Sequence, residues 1–197
     1  MEMEQGWNLK QNNSHHKNFK FVERKKVKWS PPPSRRKKLN FDGASRGNLG
    51  LSGFGAVVRD EKGSLVGAIC GPASVATNNI TDITTLEEGF KLVCSNRFMK
   101  VTIEGDSQII LNGIIKNSFT NWRLNAWIPR IKSLMDKLLD YQVHHIYPEG
   151  NKVANFLTNK GISESRLVVM SSAEAGFKDL QKILYINSKH IPRMGIG

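Results

Sequence analysis

Leu39-Asn40-Phe41-Asp42-Gly43-Ala44-Ser45 is the stretch that fixes how the rest of the chain is read. Leu39, Phe41 and Gly43 alternate with Asn40 and Asp42. That is the period of a β-strand with one face toward a core and an amide and a carboxylate on the other. The run stops at Ser45-Arg46-Gly47-Asn48, four turn-forming positions. A second alternating run, Gly53 to Arg59, ends at Asp60-Glu61-Lys62-Gly63 and leads into a third, about Ser64 to Cys70. Three such runs with short connections predict an antiparallel meander.

Beyond the meander the apolar period changes. Ile83, Leu86, Phe90 and Val93 recur at helical spacing, with Glu87 and Lys91 expected as an i,i+4 pair on the solvent face. Val101 to Glu104 predicts a short strand, and Asp106-Ser107 supplies cap chemistry for a helix carrying Ile109, Ile110, Ile114 and Ile115. Leu124, Trp127, Ile128, Ile131, Leu134, Met135 and Leu138 predict an amphipathic helix, which Pro129 either kinks or begins. Gln142 to Tyr147 reads as a fifth strand, and Val153, Phe156 and Leu157 as a short last helix. The order β-β-β-α-β-α-α-β-α predicts an α/β domain over residues 38–162, a five-stranded mixed sheet flanked by helices. After it, Phe177, Leu180, Ile183 and Leu184 suggest one more helix in a tail, 163–197.

Upstream, residues 1–37 lack apolar periodicity and include Pro31-Pro32-Pro33 and Arg35-Arg36-Lys37, so a disordered basic arm is expected. Residues 1–38 hold eight of the twelve excess positive charges. Such an arm suits phosphate backbones, nuclear import or plain solubility. Cys70 and Cys94 are too few for a disulfide framework and read as two buried thiols in a reducing compartment. No apolar run approaches the roughly 20 residues of a membrane span, so a monomeric intracellular protein is expected, with a nuclear location permitted by the Lys/Arg clusters. Of Trp29, Trp122 and Trp127, which could stack on bases, Trp127 belongs to an apolar helical stripe and reads as core.

Three carboxylates fall at the ends of different elements: Asp42 in the first strand, Asp82 near the start of the first helix, and Asp106 where the fourth strand gives way to a helix. If they converge, their repulsion calls for Mg²⁺ or Mn²⁺. Read singly, each is more readily structural, as a cap is, than functional, and the sequence by itself does not bring them together.

The motifs, taken in order, carry a resemblance. Leu39 to Ser45 is similar to the opening strand of the ribonuclease H superfamily, whose Asp is a metal ligand. Thr77-Asn78-Asn79, with an acid three residues on, resembles that family's Thr-Asn-Asn…Glu stretch and aligns Asp82 with its Glu. Asp106-Ser107-Gln108 resembles the third ligand and its neighbours. Tyr147-Pro148-Glu149-Gly150-Asn151-Lys152-Val153-Ala154-Asn155 resembles the last motif, with Asn155 where the family has Asp. Lys28-Trp29-Ser30-Pro31-Pro32-Pro33 is similar to the lead-in of plant retroelement-derived members.

The resemblance implies hydrolysis of the RNA strand of an RNA–DNA hybrid by two Mg²⁺ about 3.5–4 Å apart, with Mn²⁺ as a possible substitute. Asp42, Asp82, Asp106 and Asn155 would be the catalytic and metal-binding positions. Asn48, Thr77, Asn78, Asn79 and Gln108 would contact the nucleic acid, including the 2′-hydroxyls of a shallow A-like minor groove. Turn chemistry alone would also account for these amides. Two positions depart from the pattern. Asp82 is a methylene shorter than Glu, and Asn155 keeps an oxygen but loses the charge, so turnover is expected to suffer. Three functions follow: a slow hybrid nuclease, a non-catalytic nucleic-acid-binding module, or a decayed retroelement fragment.

Overall fold

A computed structural model of the protein describes residues 28–171 and 178–188. β1 (Lys37–Ser45), β2 (Gly50–Arg59) and β3 (Leu65–Ala76) form the predicted antiparallel meander, with Asp42 opposite Gly55 and Gly55 opposite Cys70. On the other side of β1 lies β4 (Lys100–Gly105), parallel to it, and then β5 (Asp140–His145), parallel to β4. The sheet has one strand more than the five expected. β6 (Val168–Ser171) pairs antiparallel with β3, giving the order β5-β4-β1-β2-β3-β6.

The alternation in β1 divides the molecule into two layers. Leu39, Phe41, Ala56, Val58, Ile69, Val101 and Ile103 face a core completed by α1 (Asn78–Ser95), α2 (Gln108–Lys116) and α3 (Ile128–Met135). On the opposite face Val57, Ala68 and Cys70 meet Val153 and Leu157 of α4 (Lys152–Ser163), Met170 of β6 and Leu180 of α5 (Lys178–Ser188). The sheet therefore runs past the expected boundary at residue 162. The helix expected from Leu180, Ile183 and Leu184 docks on this second face, while Phe177 lies outside the described residues.

The arm also ends earlier than expected. Residues 1–27 lie outside the described residues, but Trp29 is 4% exposed and Arg36 is buried. Trp29 lies flat over the Arg59 guanidinium, 3.5 Å from ring centroid to Cζ, and donates from Nε1 to Asn40 Oδ1 at 2.8 Å. Asn40 Oδ1 also accepts from Arg59 Nη2 at 3.0 Å. Beside it, Lys38 Nζ donates to Glu104 Oε1 at 2.7 Å and to the Ser30 carbonyl at 2.6 Å. Residues 29–36 thus cover β1 and β4 on the face that α4 and α5 leave open. The buried Lys38–Glu104 pair is supported there by further partners: Lys38 also donates to the Ser30 carbonyl, and Glu104 Oε2 accepts from Asn40 Nδ2 at 3.4 Å.

Three further expectations change. Pro129 does not kink a helix; it occupies the first turn of α3, where its missing N–H costs nothing, and Trp122–Trp127 upstream forms a 3-10 helix. Glu87 is not on a solvent face. It is 8% exposed, because α3 covers that side of α1, and it pairs with Arg130 at 3.0 Å as well as with Lys91 at 3.3 Å. Cys70 is buried, whereas Cys94 is only half-buried, its Sγ 3.6 Å from the Leu134 carbonyl oxygen. Among the described residues no helix is long and apolar enough to cross a membrane.

Candidate active site

Because β1, β4 and β5 run parallel, their C-terminal ends lie side by side, the edge at which α/β sheets bind ligands. Asp42 is near the end of β1, Asp106 follows β4 directly, and His145 ends β5. Two glycines let helices close on this edge. A Cβ on Gly43 would stand 2.6 Å from both Asp82 N and Thr81 C, so α1 touches β1 backbone to backbone. Asp82 Oδ1 then accepts from the Gly43 N–H at 3.0 Å. A Cβ on Gly55 would stand 2.3 Å from Thr158 N, so α4 lies equally close to β2.

From α4, Thr158 Oγ1 donates to the Asp42 carbonyl at 2.6 Å and Asn155 Nδ2 to Asp42 Oδ2 at 3.3 Å. Ahead of the helix, Asn151 Nδ2 donates to the Phe41 carbonyl at 2.9 Å. His145 brings Nε2 within 3.0 Å of the Asp106 carbonyl oxygen, with its ring edge-on to Tyr147.

The three carboxylates feel one another. Burial first, then the charges of Asp106 and Asp82, pushes Asp42 up to about 7, against hydrogen bonds from Thr158 and Asn155. Burial likewise pushes Asp82 up to about 7, with Asp106 adding to the rise and Ser107 and the Gly43 amide opposing it. Asp106 is raised by burial too, with its own backbone amide, His145 and Asn151 pulling the other way.

The donor chemistry fits a divalent cation. Three hard carboxylate oxygens sit where burial and repulsion leave their charge under-compensated, and the buried Asn151 Oδ1 has no hydrogen-bond partner among the described residues. As they stand, no three His, Cys, Asp or Glu side chains among the described residues are grouped closely enough to hold a metal ion. Asn155, expected as the fourth ligand, lies beside Asp42. Its nitrogen, not its oxygen, faces Asp42, and Oδ1 accepts from Asn159 Nδ2 at 3.1 Å.

The other expected site residues lie around the same edge. Thr77 precedes α1 and makes no side-chain cap, and Asn78 Oδ1 accepts from the Ser45 N–H at 2.9 Å, tying α1 to the end of β1. Asn79 is half-buried in the first turn of α1, and Gln108, half-buried, opens α2 beside Asp106. Asn48 closes a 3-10 turn between β1 and β2; its side chain lies outside the described residues. Glu149 is exposed. Of His144 and His145, the first is buried and the second half-buried, as strand alternation predicts.

Residues 40–161 match the family described as reverse transcriptase-like. A provisionally named ribonuclease H protein of Arabidopsis thaliana is 30% identical over 144 residues, covering 71% of this chain and 22% of that protein. The chain thus spans about a fifth of that relative's length. A ribonuclease H of Bordetella avium is 29% identical over 148 residues, covering 67% of this chain and 94% of the enzyme. Among solved structures, RNase H1 of Halobacterium salinarum superposes with a TM-score of 0.62 at 26% identity, covering 65% of this chain and 98% of that one.

Proposed function

The chain belongs to the ribonuclease H superfamily, and we propose that it hydrolyses the RNA strand of RNA–DNA hybrids, slowly, at the edge formed by Asp42, Asp82 and Asp106. What supports this is that β1, α1 and the end of β4 carry three carboxylates to one edge of the sheet, two of them raised to about 7. These residues would hold Mg²⁺, with Mn²⁺ as the more tolerant substitute. When bound, the cations polarise the attacking water and stabilise the leaving 3′ oxygen of the scissile phosphate.

The chain's own residues set the stage. Asn151 and Thr158 fix the β1 backbone through the Phe41 and Asp42 carbonyls, so the Asp42 carboxylate has little freedom. His145 and Asn151 favour ionised Asp106. Thr77, Asn78, Asn79 and Gln108, with Asn48 by position, would meet the hybrid's backbone and its minor-groove hydroxyls.

Slowness follows from two residues. Asp82 is short and is drawn to the Gly43 amide, and Asn155 offers Asp42 a neutral hydrogen bond where a charge is wanted. The Asn155 arrangement also favours a second reading, a module that binds hybrid without cutting it. The two are separated by incubating the chain with a hybrid labelled on the RNA strand, in Mg²⁺ and then in Mn²⁺. Cleavage of RNA alone, faster in Mn²⁺ and lost in Asp42→Asn, supports the enzyme. Tight hybrid binding with no cleavage in either metal leaves the binding module.

A further inference from the structure

We propose that Asn159 is a positioning residue for the carboxylate edge: it fixes which end of the Asn155 amide faces Asp42. This rests on the reading of that edge as a site for a divalent cation.

Asn155 and Asn159 stand one turn apart on α4, both exposed. Side chains at i and i+4 are neighbours on a helix surface and can hydrogen-bond there. Asn159 Nδ2 donates to the Asn155 carbonyl at 2.9 Å and to Asn155 Oδ1 at 3.1 Å. Asn155 Nδ2 then donates to Asp42 Oδ2 at 3.3 Å. Two amides thus lie in series between a main-chain carbonyl and a carboxylate.

The two ends of the series fix its direction. A carbonyl oxygen and an ionised carboxylate only accept hydrogen bonds, whereas an amide donates from one end and accepts at the other. Asn159 therefore turns its nitrogen to the Asn155 carbonyl, and the same nitrogen meets Asn155 Oδ1. Reversing the Asn155 amide would set nitrogen against nitrogen at Asn159 and oxygen against oxygen at Asp42. A cation beside Asp42 would relieve the second conflict but not the first.

The consequence falls on cation affinity. Mg²⁺ and Mn²⁺ take oxygen ligands, and this orientation presents the donor end of an amide beside Asp42. For Oδ1 to turn toward a cation there, the bond from Asn159 must break. Asn159 thereby holds the affinity of the edge down, acting wholly through Asn155.

The test uses the full chain, treated with EDTA and dialysed, with and without Asn159→Ala. The position is exposed on a helix and alanine is a good helix former, so equal thermal midpoints are expected and checked. Calorimetric titration with Mn²⁺ should show binding about 3- to 10-fold tighter in the variant, the worth of one hydrogen bond that no longer has to break. In an Asn155→Ala background the same substitution should change the affinity less than about 2-fold, because nothing remains to be positioned. An unchanged affinity in the single variant, or the same gain in both backgrounds, overturns the proposal. A metal-free readout accompanies it: the NMR shift that Asp42→Asn produces in the Asn155 side-chain amide should be smaller when Asn159 is alanine. Mn²⁺ bound equally by the wild type and Asp42→Asn would remove the reading of the edge. The amide readout still decides the role of Asn159 in that case: a reduced shift supports it and an equal shift overturns it.

Discussion

Asp42 shows how much chemistry one residue gathers from distant parts of the chain: its carboxylate meets Asn155, its carbonyl Thr158, and its charge Asp82 and Asp106. The carboxylates themselves are legible as motif positions. Asn151 and Thr158 are not, because they bind backbone carbonyls of β1, and nothing in a local pattern marks a side chain destined for another element's main chain. Their only trace is placement: polar residues at 151, 155 and 158 share one side of α4. The carboxylates also set a pH dependence. Asp42 and Asp82 stand at about 7 when folded and near the ordinary 3.8 when unfolded, so between about 4 and 7 the folded chain holds more protons. Stability from this source is complete below about 4 and lost as pH rises through 7. Thermal midpoints in EDTA should therefore rise as pH falls from about 8 to about 5 more in the wild type than in Asp42→Asn. Divalent cation at about pH 8 should restore the wild type selectively. Parallel pH profiles for the two proteins would remove Asp42 as a raised carboxylate.

At the scale of elements, the meander and the helices over Ile83 and Ile110 follow from period alone. Two pieces did not. The Lys28–Arg36 segment has linker composition, and what folds it is a set of partners far along the chain: Asn40, Arg59, Glu104 and Asp140. β6 is four residues long, and only Met170 among them is buried, so its alternation is too brief to stand out. The first piece carries a prediction. Trp29→Ala removes a large ring from a 4%-exposed position and uncovers the Lys38–Glu104 pair, which should cost about 3–5 kcal/mol in urea unfolding. A loss below about 1 kcal/mol would mean the segment rests on the sheet without stabilising it.

For the whole molecule, the parallel run β1-β4-β5 is what brings the site together, and two glycines in contact with helix backbones set its depth. Asp82 and Asn155 are the two positions that depart from the motifs the chain resembles. The proposal is that these two residues limit the rate at this edge. The most direct test is single-turnover cleavage of a labelled RNA–DNA hybrid by the wild type and by a chain carrying Asp82→Glu with Asn155→Asp, in the same Mg²⁺. The account predicts that the double variant cuts the RNA strand at least about 10-fold faster, since restoring one charged contact in the transition state is worth more than about 1.4 kcal/mol. Equal rates, or no cleavage by either chain, would contradict it.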